Sequence, residues 1–164
     1  MNTYLKLDFY VDKENKKINV QRAFEASIAN VWEAWTDSRL LDQWWAPHPW
    51  KAITKTMNFR EGGLWLYAMQ GPDGSKMWSR FDYKTITPLK NFTTKDAFCD
   101  SEGIITSELP GSIWNVLFTE TEDSTMVHIE LSFNELADLE KILETGFKEG
   151  FISALGNLDT LLAA

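Results

Sequence analysis

One cysteine, two histidines and five prolines are all that this 164-residue chain holds of residue types that often organise a site or a fold. A lone Cys99 excludes an internal disulfide and a CxxC metal knuckle. His48 and His128 lie far apart, so neither contributes to a zinc spacing. Basic residues are outnumbered, 16 against 24 acidic, for a net charge of −8. Their one concentration, Lys13 to Lys17, is interrupted by Glu14 and Asn15 and reads as a hairpin tip. A duplex-binding surface needs a positive patch that displaces counterions, so nucleic acid is not an expected partner, and nor is a strongly anionic membrane surface. No apolar run approaches the ~18 residues of a membrane span. Met1 to Lys6 has no stretch of signal-peptide type, and the expected location is the cytoplasm. Phosphate-cradling glycine loops, a dinucleotide fingerprint and Ser/His/Asp or Cys/His nucleophile patterns are missing too. Nothing here demands an enzyme, and no cofactor or metal is expected.

What the chain does have is rings. Aromatic residues make up 13% of it, and eight are tryptophan. Four of these fall in the fourteen residues from Trp32 to Trp45. Large rings bury much area each and line either cores or cavities. The length fits one domain, residues 1–164, with a sizeable core.

Tyr4 to Val11 and Ile18 to Glu25 alternate around a charged turn, which predicts a β-hairpin. Ser27 can cap the helix that follows, on which Ile28, Val31, Trp32 and Trp35 share a face. That helix should run into an aromatic loop broken by Pro47 and Pro49. Six strands are then expected, at 51–59, 63–70, 76–86, 91–99, 112–120 and 125–133, joined by short turns as an antiparallel meander. Between residues 136 and 162 the leucines and phenylalanines switch to helical spacing, which predicts one long helix over one face of the sheet.

Strand parity places Trp65, Tyr67 and Met69 on one face, with Met77, Phe81 and Tyr83 on the next strand. Phe92 and Phe98 follow, then Trp114, Val116 and Phe118, opposite Phe147 and Phe151 of the helix. Gly146 and Gly150 would leave a notch on that helix. A ligand-sized cavity of ~300–1,000 Å³ or a solid core would both satisfy this pattern. The expected lining is Trp44, Trp45, Trp65, Tyr67, Met69, Phe81, Tyr83, Phe98, Trp114, Phe118, Phe147 and Phe151. An exposed loop position is the plainer expectation for His48, with the rim of such a pocket as the alternative, and His128 belongs with Glu130 on the outer sheet face. Asp82 and Asp96 are strand carboxylates. Asp96 shares the face of Phe92 and Phe98, although a strand end or a basic partner is the plainer expectation for it.

A family pattern runs through these residues in order: Arg22-Ala23-Phe24, Val31 to Asp37, Trp44-Trp45-Ala46-Pro47, Phe59 to Trp65, Tyr83 to Pro88, and Gly150-Phe151 with Leu155 and Leu158. Over about residues 18–162 the chain resembles the START-like (SRPBCC, helix-grip) superfamily. Within it the chain is similar to bacterial AHSA-type proteins, named for the C-terminal domain of the heat-shock-chaperone ATPase activator. The resemblance implies an α+β helix-grip fold: a curved seven-stranded antiparallel sheet wrapped around a long C-terminal helix, with two short helices after the first strand. It implies a cavity for an apolar or aromatic small molecule, such as a lipid or polyketide. Alternatives within the family are a chaperone-binding module and a cyclase- or hydrolase-like enzyme using His48, Asp96 or Tyr83 as acid or base. The Tyr4–Val11 strand extends the pattern and offers an extra edge strand or a homodimer contact. Where the pattern often has an acidic residue, this chain has Asn58, and where it often has a Trp, this chain has Phe151.

Overall fold

A computed structural model describes residues 7–106 and 111–164. Within them one antiparallel sheet of eight strands runs β1(Leu7–Asp12), β2(Lys17–Phe24), β3(Lys51–Met57), β4(Leu64–Gln70), β5(Lys76–Thr87), β6(Asn91–Cys99), β7(Ile113–Glu120) and β8(Thr125–Ser132). The spatial order is β1-β2-β8-β7-β6-β5-β4-β3. Strands β3 to β8 are therefore the expected meander, and β2 returns to pair with β8. Its register sets Val20 opposite Ile129 and Ile18 opposite Leu131. All four side chains are buried, so the alternating inward positions of two sequence-distant strands meet across the sheet.

The sheet has eight strands where the resemblance implied seven. The added strand is β1, which pairs with β2 from Leu7–Arg22 to Asp12–Lys17 and forms an edge. Tyr4 to Lys6, in the expected first strand, and Pro110, in the connection before residue 112, lie outside the described residues.

Two short helices, α1(Ile28–Thr36) and α2(Ser38–Trp44), carry the chain from β2 across to β3. Ser27 Oγ accepts from the Asn30 N–H at 3.2 Å, capping α1 as its sequence predicts. Asp37 both ends α1 and starts α2, its carboxylate accepting from the Arg39 N–H at 2.9 Å. Residues 38–44, read as a loop from local pattern, are thus helical, in agreement with the two helices that the resemblance implied.

The expected long helix is two. α3(Leu136–Glu144) ends at Thr145, and α4(Phe147–Ala163) begins after Gly146. Gly146 has φ +88°, a left-handed conformation that costs glycine little and suits a helix terminus. Thr145 and Gly146 return their N–H groups to Ile142 and Leu143. The apolar spacing continues across the break, from Ile142 and Leu143 to Phe147 and Phe151, which is why periodicity alone does not see it. α4 is tied to its neighbours by polar contacts at its C-terminal half. Asn157 donates to Ala46 O at 3.0 Å, and Arg22 of β2 meets Asp159 at 3.4 Å.

Candidate functional site

The rings between sheet and helices divide into two ends. On β4, Trp65 and Tyr67 stack at 4.1 Å between centroids, and Phe81 of β5 lies parallel to Trp65 at 5.6 Å. Trp45, just past α2, stands edge-on over this stack and reaches Trp65, Phe81, Trp114 and Phe151 at 5.3 to 6.1 Å. It divides one end from the other.

On the α1 side the rings close completely. Trp35 packs on Trp44 at 4.8 Å and Trp32 on Phe118 at 5.0 Å, all edge to face. Trp44 is fully buried and donates its indole N–H to Ala34 O at 2.9 Å. The space left among Trp35, Trp65, Tyr83 and Phe92 is about 10 Å³. That is no more than a single water occupies.

On the α4 side they do not close. A cleft of about 240 Å³ lies between β4, β5, β6, the start of β7 and the first turns of α4. It is somewhat smaller than the ~300–1,000 Å³ of ligand pockets in general. Of the twelve residues expected to line a pocket, Trp45, Tyr67, Met69, Phe81, Phe98, Trp114, Phe147 and Phe151 do. Trp44 and Phe118 are packed into the closed end, and Trp65 and Tyr83 face the small void there. The rings of Trp65, Tyr83 and Phe118 share the inward parity of the others, but α1 and α2, the latter carrying Trp44 itself, cover them.

The cleft also takes Pro47, Met77, Ser79, Asp96, Thr145, Gly146 and Gly150, none of which was in the expected lining. Ser79 and Asp96 could be found by parity, between Met77 and Phe81 and between Phe92 and Phe98. Gly146 and Gly150 fall at the notch expected on the helix, whereas Pro47 and Thr145 carry no comparable signal. A Cβ added at Gly150 would rest against Pro47 Cγ at 3.6 Å, an ordinary contact.

Asp96 is the sole charged side chain among the lining residues. It sits mid-strand, half-buried, with no ion pair among the described residues, contrary to the plainer expectation of a strand end or a basic partner. Asp82, the other strand carboxylate, has that partner instead: Arg80 grips it through two contacts of 2.6 and 2.9 Å. The Asp96 Oδ1 accepts from the Ser112 N–H and, at 2.8 Å, from the Ser112 hydroxyl, which itself accepts from the Trp114 indole N–H at 3.0 Å. No partner stands at hydrogen-bond distance from Oδ2 among the described residues. Burial pushes the Asp96 carboxyl up to about 6, against the lowering pull of Ser112 and Trp114. Gly111 allows this arrangement, because a Cβ there would collide with the Asp96 carbonyl oxygen.

Tyr67 supplies the other polar atom in this corner. Burial pushes its hydroxyl well above the ordinary value, with Trp45, Ser79 and the Asp96 charge nearby. It is therefore a neutral phenol that can donate or accept. The corner thus holds an ionisable acceptor, a phenol and a serine hydroxyl at the end of a ring-walled space.

His48 is exposed in its loop, as the plainer expectation had it, and is not at the rim of the cleft. His48 lines a separate groove of about 430 Å³ with Asp42, Trp50, Lys51, Asn157 and Thr160. Two of the polar groups of that groove are committed to the fold: Asp42 accepts from Thr54 N–H and Oγ1, and Asn157 caps the end of α2. His128 projects from the outer sheet face to Asn19 at 3.0 Å.

A family model described as Activator of Hsp90 ATPase homolog 1-like protein matches residues 25–163. Among solved structures, a protein from Arthrobacter aurescens is 30% identical with a TM-score of 0.90, covering 95% of this chain and 91% of its own. A Mycobacterium smegmatis protein is 27% identical with a TM-score of 0.88, over 94% and 95% of the two chains. The AHSA1 protein from Silicibacter pomeroyi, 16% identical with a TM-score of 0.69 over 90% and 97%, shares the fold. No curated protein matches the chain.

Proposed function

We propose, for a chain that belongs to the Activator of Hsp90 ATPase homolog 1-like family, that it binds an apolar or aromatic small molecule between sheet and C-terminal helix. The observation that carries this reading is the contrast in packing within one aromatic layer. Rings fill the α1 end to a residual 10 Å³ and leave 240 Å³ at the α4 end. Protein interiors pack to crystal-like density, so unfilled ring-lined space at a molecular surface is a place for something else. Stacking on Trp45, Trp114 and Phe151 would supply affinity, and Tyr67 would orient a polar group.

Native mass spectrometry of freshly purified protein, set beside its denatured mass, tests this directly. A reproducible extra mass that leaves on denaturation is the expected result. A clean unliganded mass, together with no thermal stabilisation by aromatic fragments, would count against a binding function. A ligand at 100 times its dissociation constant should add about 2.7 kcal/mol.

A second reading, a module that acts on a chaperone ATPase, is supported by the family description alone. An unchanged chaperone ATPase rate on adding the purified protein would remove it.

A further inference from the structure

The geometry points to a small organic cation, an arylalkylamine in type, as the ligand of the α4 cleft, with the Asp96 carboxylate as its anchor. This rests on the reading of the cleft as a binding site and deepens it by naming the chemistry of the occupant.

Three observations carry it. The first is that Asp96 projects a carboxylate into a space walled by Trp45, Trp114, Phe147 and Phe151, with no basic side chain among the lining residues to balance it. A lone carboxylate in such surroundings is costly, and proteins pair buried charges. The second is that Ser112 occupies Oδ1 twice and Oδ2 has no hydrogen-bond partner among the described residues, so one acceptor position faces the cleft while the carboxylate itself is fixed in direction. The third is the wall. Ring faces attract cations through their quadrupole, and desolvation strengthens that attraction. Carboxylate and rings therefore favour the same charge sign.

The same features disfavour the other classes. A fatty acid would bring a second carboxylate against Asp96. A neutral hydrocarbon would leave Oδ2 without a donor. The net charge of −8 acts at longer range in the same direction, drawing cations toward the surface and repelling anions. The cleft volume of about 240 Å³ suits a molecule of one or two rings rather than a long lipid chain.

The test compares three probes of one shape: 2-phenylethylamine, 2-phenylethanol and 3-phenylpropanoate. Binding is measured by calorimetry at pH 8 to wild type and to Asp96→Asn and Gly150→Leu. In wild type the amine should bind roughly tenfold or more tightly than the alcohol, the margin of a charge-assisted hydrogen bond, and the acid should bind weakest. In Asp96→Asn the ratio of amine to alcohol affinity should collapse toward one. Gly150→Leu should weaken all three, since its side chain enters the cleft from α4 while Asp96 stands on β6. Alcohol binding as tight as amine binding in wild type overturns the cation inference and leaves the binding reading intact. A full amine preference kept in Asp96→Asn overturns it as well. If none of the three binds wild type, the cation inference falls, and the native mass measurement decides the binding reading separately.

Discussion

The two ends of the aromatic layer are built from the same residue types on the same sheet face, yet one is a core and the other a cleft. At the closed end, α1 lays Trp32 onto Phe92 and Phe118 and Trp35 onto Phe118, Trp44 of α2 packs on Trp35, and every ring finds an edge or a face. At the open end, the element above the sheet is the start of α4. There the chain offers Gly146, Gly150 and Pro47 in place of bulk. The sheet side adds a carboxylate where the closed end has the buried Thr94, whose hydroxyl donates to Asp82 O at 2.9 Å. Ring content does not decide between core and cavity; what the opposing helix presents does.

The comparison breaks most sharply on ring deletion. Trp44→Ala removes a fully buried ring, and its indole hydrogen bond, from the closed end. It should lower unfolding free energy by about 3–5 kcal/mol. Phe147→Ala at the open end, where the ring is only half-buried and borders existing space, should cost well under half of that. Urea titrations of the two variants measure the difference directly. Equal losses would mean that the open end is packed as tightly as the closed one.

Much of the fold is legible in the sequence. Alternation placed all the strands within a few residues, and Ser27 signalled the start of α1. The halves of the aromatic layer were not distinguishable, because parity says which way Trp65 and Phe118 point but not what lies over them. The break at Gly146 was invisible because Leu143 and Phe147 keep helical spacing through it. Asp96 was placed on the inward face by parity, but composition gave no means of telling that its neighbours would include no base. A resemblance spanning the whole pattern supplied the second short helix, which local sequence had made a loop. It also counted seven strands, and the eighth, β1, came instead from the alternation of the N-terminal hairpin.

Asp96 sharpens the comparison through pH. Its carboxyl, raised to about 6, lies above the ordinary value near 3.8, so the native state holds the proton more tightly than the unfolded chain does. The stability this contributes is complete below about pH 4 and is lost as pH rises through about 6. The gap corresponds to about 3 kcal/mol. Asp96→Asn keeps an acceptor for Ser112 and removes the charge. It should therefore stabilise the protein at pH 8 by as much as this amount and match wild type near pH 4. Among the described residues Tyr67 is the other titratable group lining the cleft with Asp96 and stays protonated throughout, while Arg80 and Asp82 on β5 are paired with each other. Amine affinity should run the opposite way to stability, falling as the pH drops below about 6. A stability difference between variant and wild type that does not change from pH 8 to pH 4 would refute the assignment of Asp96 as an unbalanced charge.

The smallest expected effect is the most discriminating. Gly150 lies in the interior of α4, where glycine costs about 1 kcal/mol relative to a good helix former. In a packed core, introducing leucine would force neighbours apart and destabilise the protein by ~1–3 kcal/mol. Here the nearest atom to a new Cβ is Pro47 Cγ, at ordinary contact distance, and beyond it is the cleft. Gly150→Leu should then gain about 1 kcal/mol in thermal or urea unfolding while it excludes ligand. A gain in stability coupled to a loss of binding separates empty space kept for a ligand from empty space left by imperfect packing, because only the first gives up something when it is filled. If the variant is destabilised instead, α4 already sits against the sheet at that turn, and the open end is a second core.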